Sequence, residues 1–160
     1  MAGIFTNPTA PERYIPRVVK HEESLQRQAC SYLRKQWPRV IFRSDYSAGL
    51  RLTQNQARIN ASMQSGRGFP DLFIYEPMTI EGKHYCGMAL ELKRDKTAII
   101  VTKGPRKGHL VADKHIQEQY LMLKELARKG YYTDFGIGID DTLRKLQWYL
   151  SGGIQNLEMF

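Results

Sequence analysis

Cysteine is scarce in this chain: Cys30 and Cys86 are the only two in 160 residues. Two isolated thiols make no disulfide framework and fit a reducing compartment. A zinc site drawn from Cys30, His84, Cys86, His109 and His115 lacks the close Cys-x-x-Cys or His-x-x-x-His spacing of structural zinc. No apolar run approaches the length of a membrane span, and the N-terminal residues lack the basic start and apolar stretch of a signal peptide. The expected setting is the cytoplasm, away from membranes, and the host cytoplasm if the chain is phage-encoded. Internal repeats, low-complexity stretches, zinc fingers, helix-turn-helix patterns and an evident base-reading helix are missing too, so nothing points to sequence-specific DNA recognition. Acidic residues are outnumbered, 16 against 24 Lys and Arg, for a net charge of +8. That balance favours a polyanionic partner and excludes none of the proteins that act on DNA or merely bind it.

What is present is a constellation of charge on two apolar runs. Gly68-Phe69-Pro70-Asp71-Leu72-Phe73-Ile74-Tyr75 is followed by Gly87-Met88-Ala89-Leu90-Glu91-Leu92-Lys93. Strand alternation in the second run sends Met88, Leu90 and Leu92 to one face and Ala89, Glu91 and Lys93 to the other. If the two runs pair as a hairpin, the Asp71 carboxylate can come within a few ångströms of Glu91. Two converging carboxylates suit Mg²⁺, or Mn²⁺, which takes oxygen ligands and is commonly held by one or two carboxylates plus substrate phosphate. Lys93 could then orient an attacking water and neutralise phosphate charge. The competing expectation is an ordinary Glu91–Lys93 pair on a solvated strand face.

Helical spacing of Leu25, Ala29, Tyr32 or Leu33 and Trp37 predicts an amphipathic helix from near Glu22 to Pro38. Glu22 could reach a metal from its first turn, or simply complement the helix dipole. A second helix is expected from an Asp113 N-cap to Lys129, with Gly130 at C′ and a stripe of Ile116, Tyr120, Leu123 and Ala127. Gln119 borders that stripe, and His115 sits one turn earlier. The segment from Thr97 to Asp113 reads as a basic loop or hairpin carrying Lys103, Arg106, Lys107 and His109.

Together these residues resemble a stand-alone VRR-NUC domain of the PD-(D/E)xK nuclease superfamily, of the small phage type. The matching stretch is about residues 20 to 150. It pairs a helical Glu22 with Leu25-Gln26, then Gly68 with Pro70-Asp71, Glu91 with Lys93, and Gln119. Glu23 and Gln117 are the neighbouring alternatives for Glu22 and Gln119. The resemblance implies Asp71, Glu91, the main-chain carbonyl of Leu92 and Glu22 as metal ligands, with Glu22, Asp71, Glu91, Lys93 and Gln119 forming the catalytic set. It implies an endonuclease that hydrolyses DNA phosphodiesters, structure-specific on branched DNA such as four-way junctions, and working as a homodimer. A flap or single-strand nuclease is the alternative within the enzyme class, and a non-catalytic DNA-binding protein on a nuclease fold the alternative outside it.

The expected architecture is α/β, a restriction-endonuclease-like core with a mixed central sheet flanked by helices in the order α-β-β-β-α-β-α. Residues 1–19 read as an extended basic arm, 20–151 as the nuclease domain, and 152–160 as a tail that could lie at a dimer interface. Val40-Ile41-Phe42 is the expected first strand. Thr53 and Gln56 resemble a capping box for a short helix towards Gln64. Tyr131 to Ile139 reads as the last strand, followed by a helix capped by Asp140 or Asp141 with Leu143, Leu146 and Leu150 inward. Arg51, Arg67, Lys103, Arg106 and Lys107 are the candidate nucleic-acid contacts.

Overall fold

All seven residues of Gly87–Lys93 are buried, which makes this strand the centre of the sheet and not a solvated face. The computed structural model describes residues 21–45 and 51–154. Its elements are α1 (His21–Gln36), β1 (Phe42–Ser44), α2 (Gln54–Ser62), β2 (Leu72–Ile74), β3 (Met78–Ile80), β4 (Lys83–Tyr85), β5 (Gly87–Lys93), α3 (Lys114–Arg128), β6 (Tyr131–Ile137) and α4 (Gly138–Leu150). Four strands form one sheet in the order β1-β2-β5-β6, while β3 and β4 pair with each other. The β1–β2 and β2–β5 pairings are antiparallel, and β5–β6 is parallel. A parallel neighbour needs a crossover, and α3 supplies it.

Helices cover both faces. Leu25, Ala29 and Leu33 of α1 and Leu146, Tyr149 and Leu150 of α4 join Leu72, Ile74, Met88, Leu90 and Leu92 in the main core. On the opposite face Ile116 and Leu123 of α3 pack with Phe135 of β6, and Ile99, Leu110 and Val111 lie against them. The apolar alternation of β5 thus faces α1 and α4, and Glu91 and Lys93 belong to the α3 side.

Several boundaries differ from expectation. Beyond the expected elements there is the β3–β4 hairpin, while α2 stands where the short helix after Thr53 was expected. The hairpin turns at Glu81-Gly82, both left-handed with φ of 50° and 78°, as a two-residue turn between twisted strands requires. The first strand is Phe42–Ser44, and Ile41 is exposed. Its Cα partners run from Phe42 to Ser44, and Ile41 joins only through its carbonyl, which accepts from the Tyr75 amide at 2.8 Å. In α3 the buried set is Ile116, Gln119 and Leu123, whereas Tyr120 and Ala127 are exposed. The helix is rotated so that a polar amide, not Tyr120, faces the sheet, because Glu91 offers it an acceptor there. The last strand stops at Ile137, and α4 begins at Gly138 with no side-chain cap at its N-cap Ile137. Asp141 instead accepts from the Ile137 amide at 3.0 Å from inside the first turn. Thr53 and Gln56 form the expected capping box, and Asp113 caps α3 through the amides of His115 and Ile116. The expected arm, 1–19, and residues 155–160 of the tail lie outside the described residues.

Candidate active site

The β2–β5 register sets Leu72 opposite Leu90, so Asp71, one residue earlier, falls level with Glu91 at the end of the sheet. Pro70, fully buried, precedes it with a fixed φ. Asp71 is held from three elements. Its Oδ1 accepts from Gln26 Nε2 of α1 at 3.0 Å, and its Oδ2 accepts from the Leu92 amide of β5 at 2.9 Å. Its own carbonyl accepts from the Ser44 hydroxyl at 3.1 Å and the Asp45 amide at 2.8 Å at the end of β1. Gln26 Nε2 also donates to the Asp45 carbonyl at 3.2 Å, tying the helix to the loop.

Glu91 is 2% exposed, Lys93 7% and Gln119 5%. Lys93 Nζ lies 2.9 Å from Glu91 Oε1, and Gln119 Nε2 donates to the same oxygen. Such a pair is buried, so the expectation of a solvated surface bridge fails. Glu91 Oε2 and Gln119 Oε1 are buried without a hydrogen-bond partner among the described residues. Desolvation, reinforced by the neighbouring Asp71 charge and opposed by Lys93, pushes the Glu91 carboxyl up to about 8. A carboxylate drawn upward by burial and by a second carboxylate, with one oxygen unsatisfied, is short of positive charge. That donor set fits a hard divalent cation. Among the described residues no three His, Cys, Asp or Glu side chains cluster as a metal site.

The other expected site residues separate cleanly. Glu22 lies in the first turn of α1, one turn before Gln26, and the side chains of Glu22 and Glu23 lie outside the described residues. Leu92 buries its side chain in the core and presents its peptide unit beside Asp71. Of the two glutamines, Gln119 meets Glu91, whereas Gln117 donates to the Val111 carbonyl at 3.2 Å. His115 is exposed and sits 3.3 Å from Gln119. Arg51, Arg67, Lys103, Arg106 and Lys107 are exposed and outside the buried cluster. The last three ride on a narrow loop closed by the Ile100–Leu110 bridge and by hydrogen bonds between Val101 and His109 and between Gly108 and Val101. Gln26 is the residue whose part sequence reasoning left undefined: it was visible as half of an apolar-Gln pair, and its contact with Asp71 shows what the amide does.

A mixed sheet between helical layers, with acidic and basic side chains converging at one end, is a mixed α/β architecture compatible with a nuclease-like fold. Among solved structures, a VRR_NUC domain protein superposes with a TM-score of 0.57, covering 86% of this chain and 98% of its own at 19% identity. At that identity the likeness is one of fold. No family model and no curated protein matches the chain.

Proposed function

We propose that this chain is a divalent-metal-dependent endonuclease that hydrolyses DNA phosphodiesters, with branched DNA such as four-way junctions as its substrate and a homodimer as its working form. The reading rests above all on the meeting of half-buried Asp71 with the buried Glu91, Lys93 and Gln119. A passive DNA-binding protein has no use for two carboxylates near a polyanion, nor for burying Glu91 with an oxygen unsatisfied. Asp71, Glu91 and the Leu92 carbonyl, with Glu22 from α1, would hold the ion. When bound, Mg²⁺ or Mn²⁺ supplies charge neutralisation at the scissile phosphate and lowers the pKa of an attacking water. Lys93 would orient that water against the phosphate, held in place by Glu91 Oε1. Gln119 fixes Glu91 from the other side, and Gln26 fixes Asp71. The narrow basic loop with Lys103, Arg106 and Lys107, together with Arg51 and Arg67, would grip the phosphate backbone.

The test incubates the protein with labelled four-way junction, flap, duplex and single-stranded DNA in Mg²⁺, Mn²⁺ or EDTA. Symmetric metal-dependent cuts at the junction support the full reading. Cuts elsewhere retain the chemistry and change the substrate, and binding without cleavage under every condition overturns it. No helix among the described residues is long and apolar enough to cross a membrane.

Gln26→Ala frees Asp71 Oδ1 from its amide without touching the carboxylates. Cleavage should fall about 10- to 100-fold, as for loss of an outer partner of a metal ligand. Isothermal titration should show weaker Mg²⁺ binding by a similar factor, and unchanged Mg²⁺ affinity would remove Gln26 from this positioning role.

Stability should depend on pH in the metal-free protein. Glu91 titrates near 8 when folded but near its ordinary 4.5 when unfolded. Between these values the folded state holds a proton that the unfolded state releases, so stability falls as pH rises from about 5 and levels off above about 8. Mg²⁺ replaces that proton, so the thermal shift it produces should be larger at alkaline than at acid pH. Its apparent affinity should rise about tenfold per pH unit below the Glu91 value. Differential scanning fluorimetry across pH with and without Mg²⁺ checks both slopes.

A further inference from the structure

Helix α2 has no buried residue. Its Ile59 is 53% exposed, and Met63, just past its end, is 72% exposed. A helix this short has little stability of its own, and the core makes no use of it, yet a full capping box defines its start. Its exit runs through Gly66-Arg67-Gly68 directly to Pro70-Asp71. That exit is pressed onto α3: a Cβ on Gly68 would stand 2.8 Å from the Glu118 carbonyl. The helix is therefore an outward projection tethered to the candidate active site.

Its chemistry is one-sided. From residue 46 to residue 70 the sequence has no acidic side chain and carries Arg51, Arg58 and Arg67. Gln56 spends its amide on the cap, but Gln54, Asn55 and Arg58 are exposed and make no hydrogen bond or ion pair with their own chain among the described residues. Arg58 follows Gln54 by four residues and Asn55 by three, so the three project from neighbouring positions of one helix surface. Amides and guanidinium groups bind base edges and phosphates in pairs of hydrogen bonds. A second copy of this chain is the poorer occupant. Self-contact through α2 would bring arginine to arginine with no acid in the segment to offset them, in a chain already at +8. DNA supplies the missing negative charge.

We propose that α2 is a DNA-docking helix whose Gln54, Asn55 and Arg58 seat on the duplex flanking the phosphodiester presented to Asp71 and Glu91. The cut is located by the nuclease reading above, whereas duplex binding by α2 is independent of it. The test places Gln54→Ala, Asn55→Ala and Arg58→Ala together in the full chain, in an Asp71→Asn background that prevents turnover. Fluorescence anisotropy then follows labelled duplex and single-stranded oligonucleotides over a range of salt. Duplex affinity should drop about tenfold or more, with the salt slope shallower by about one. The thermal midpoint should hold, because no buried contact is lost.

Unchanged duplex affinity overturns the proposal. A change in oligomeric state by light scattering with DNA affinity intact also overturns it, and assigns α2 to a second copy. The parent chain with Asp71 intact, assayed alongside, keeps the two readings apart. If it never cleaves while the triple variant loses duplex affinity, docking stands and the nuclease reading falls. If it cleaves and the triple variant binds normally, the reverse holds.

Discussion

Asp71→Asn is expected to abolish cleavage, a loss of about a thousandfold or more, while duplex binding measured without metal stays within a few-fold. The substitution keeps the shape of the side chain and one of its two acceptors. It therefore retains either the Gln26 or the Leu92 hydrogen bond that anchors the carboxylate now. What disappears is one of the two carboxylates that the nuclease reading assigns to the cation. A purely structural role for Asp71 predicts a less stable protein. The metal-site role predicts instead that the metal-free variant is no less stable at pH 8, because the charge that raises Glu91 is gone, and that the Mg²⁺-induced thermal shift is lost. Lys93→Ala should be equally inactive for a different reason, loss of the group that the same reading assigns to orient water. Its fold should survive, because Glu91 holds its proton up to about 8 and is largely neutral without metal at lower pH. Wild-type cutting by both variants sinks the assignment of the site.

The parts of the fold that sequence made visible are those in which one side chain has only one sensible use. Asp113 ahead of an apolar helix can cap it, and does. Glu91 and Lys93 alternate with leucines on a strand, and alternation alone placed them on a common face away from Leu90 and Leu92. It could not say whether that face was wet, because α3 covers it from the far side of a long connection. The face of α3 was misjudged for the same reason. Tyr120 is more apolar than Gln119, and only the acceptor on Glu91 makes the glutamine the better residue to bury. The β3–β4 hairpin escaped because its strands have three residues each, too short for a period to register, and Glu81-Gly82 is not among the strong hairpin-turn pairs. Gln26 illustrates the remaining gap. Its partner Asp71 is distant in sequence, and no local rule predicts an amide reaching across that separation.

Gly68→Ala should be among the most damaging single-methyl changes in the chain, and comparison with Gly82→Ala shows why. Both glycines have left-handed backbones, with φ of 77° and 78°. For either one an alanine costs about 1 kcal/mol of backbone strain. At Gly82 a Cβ meets nothing within 4 Å, so the loss should end there. At Gly68 the same atom would lie 2.8 Å from the carbonyl carbon and oxygen of Glu118 and 2.9 Å from the amide nitrogen of Gln119. Those are backbone atoms in the middle of α3, and they can yield only if the helix or the loop moves. Overpacking of that kind adds about 1–3 kcal/mol, for a total of roughly 2–4 kcal/mol and a midpoint lower by about 5–15 °C. The displacement also acts on function, because the contact joins the segment leading to Asp71 to the helix that delivers Gln119 to Glu91. Cleavage by Gly68→Ala, measured well below its own midpoint, should therefore fall further than its folded fraction explains. Gly82→Ala should cut like wild type once corrected for stability. Equal, mild effects at the two glycines would mean that the close approach of loop and helix does not set the geometry of the site.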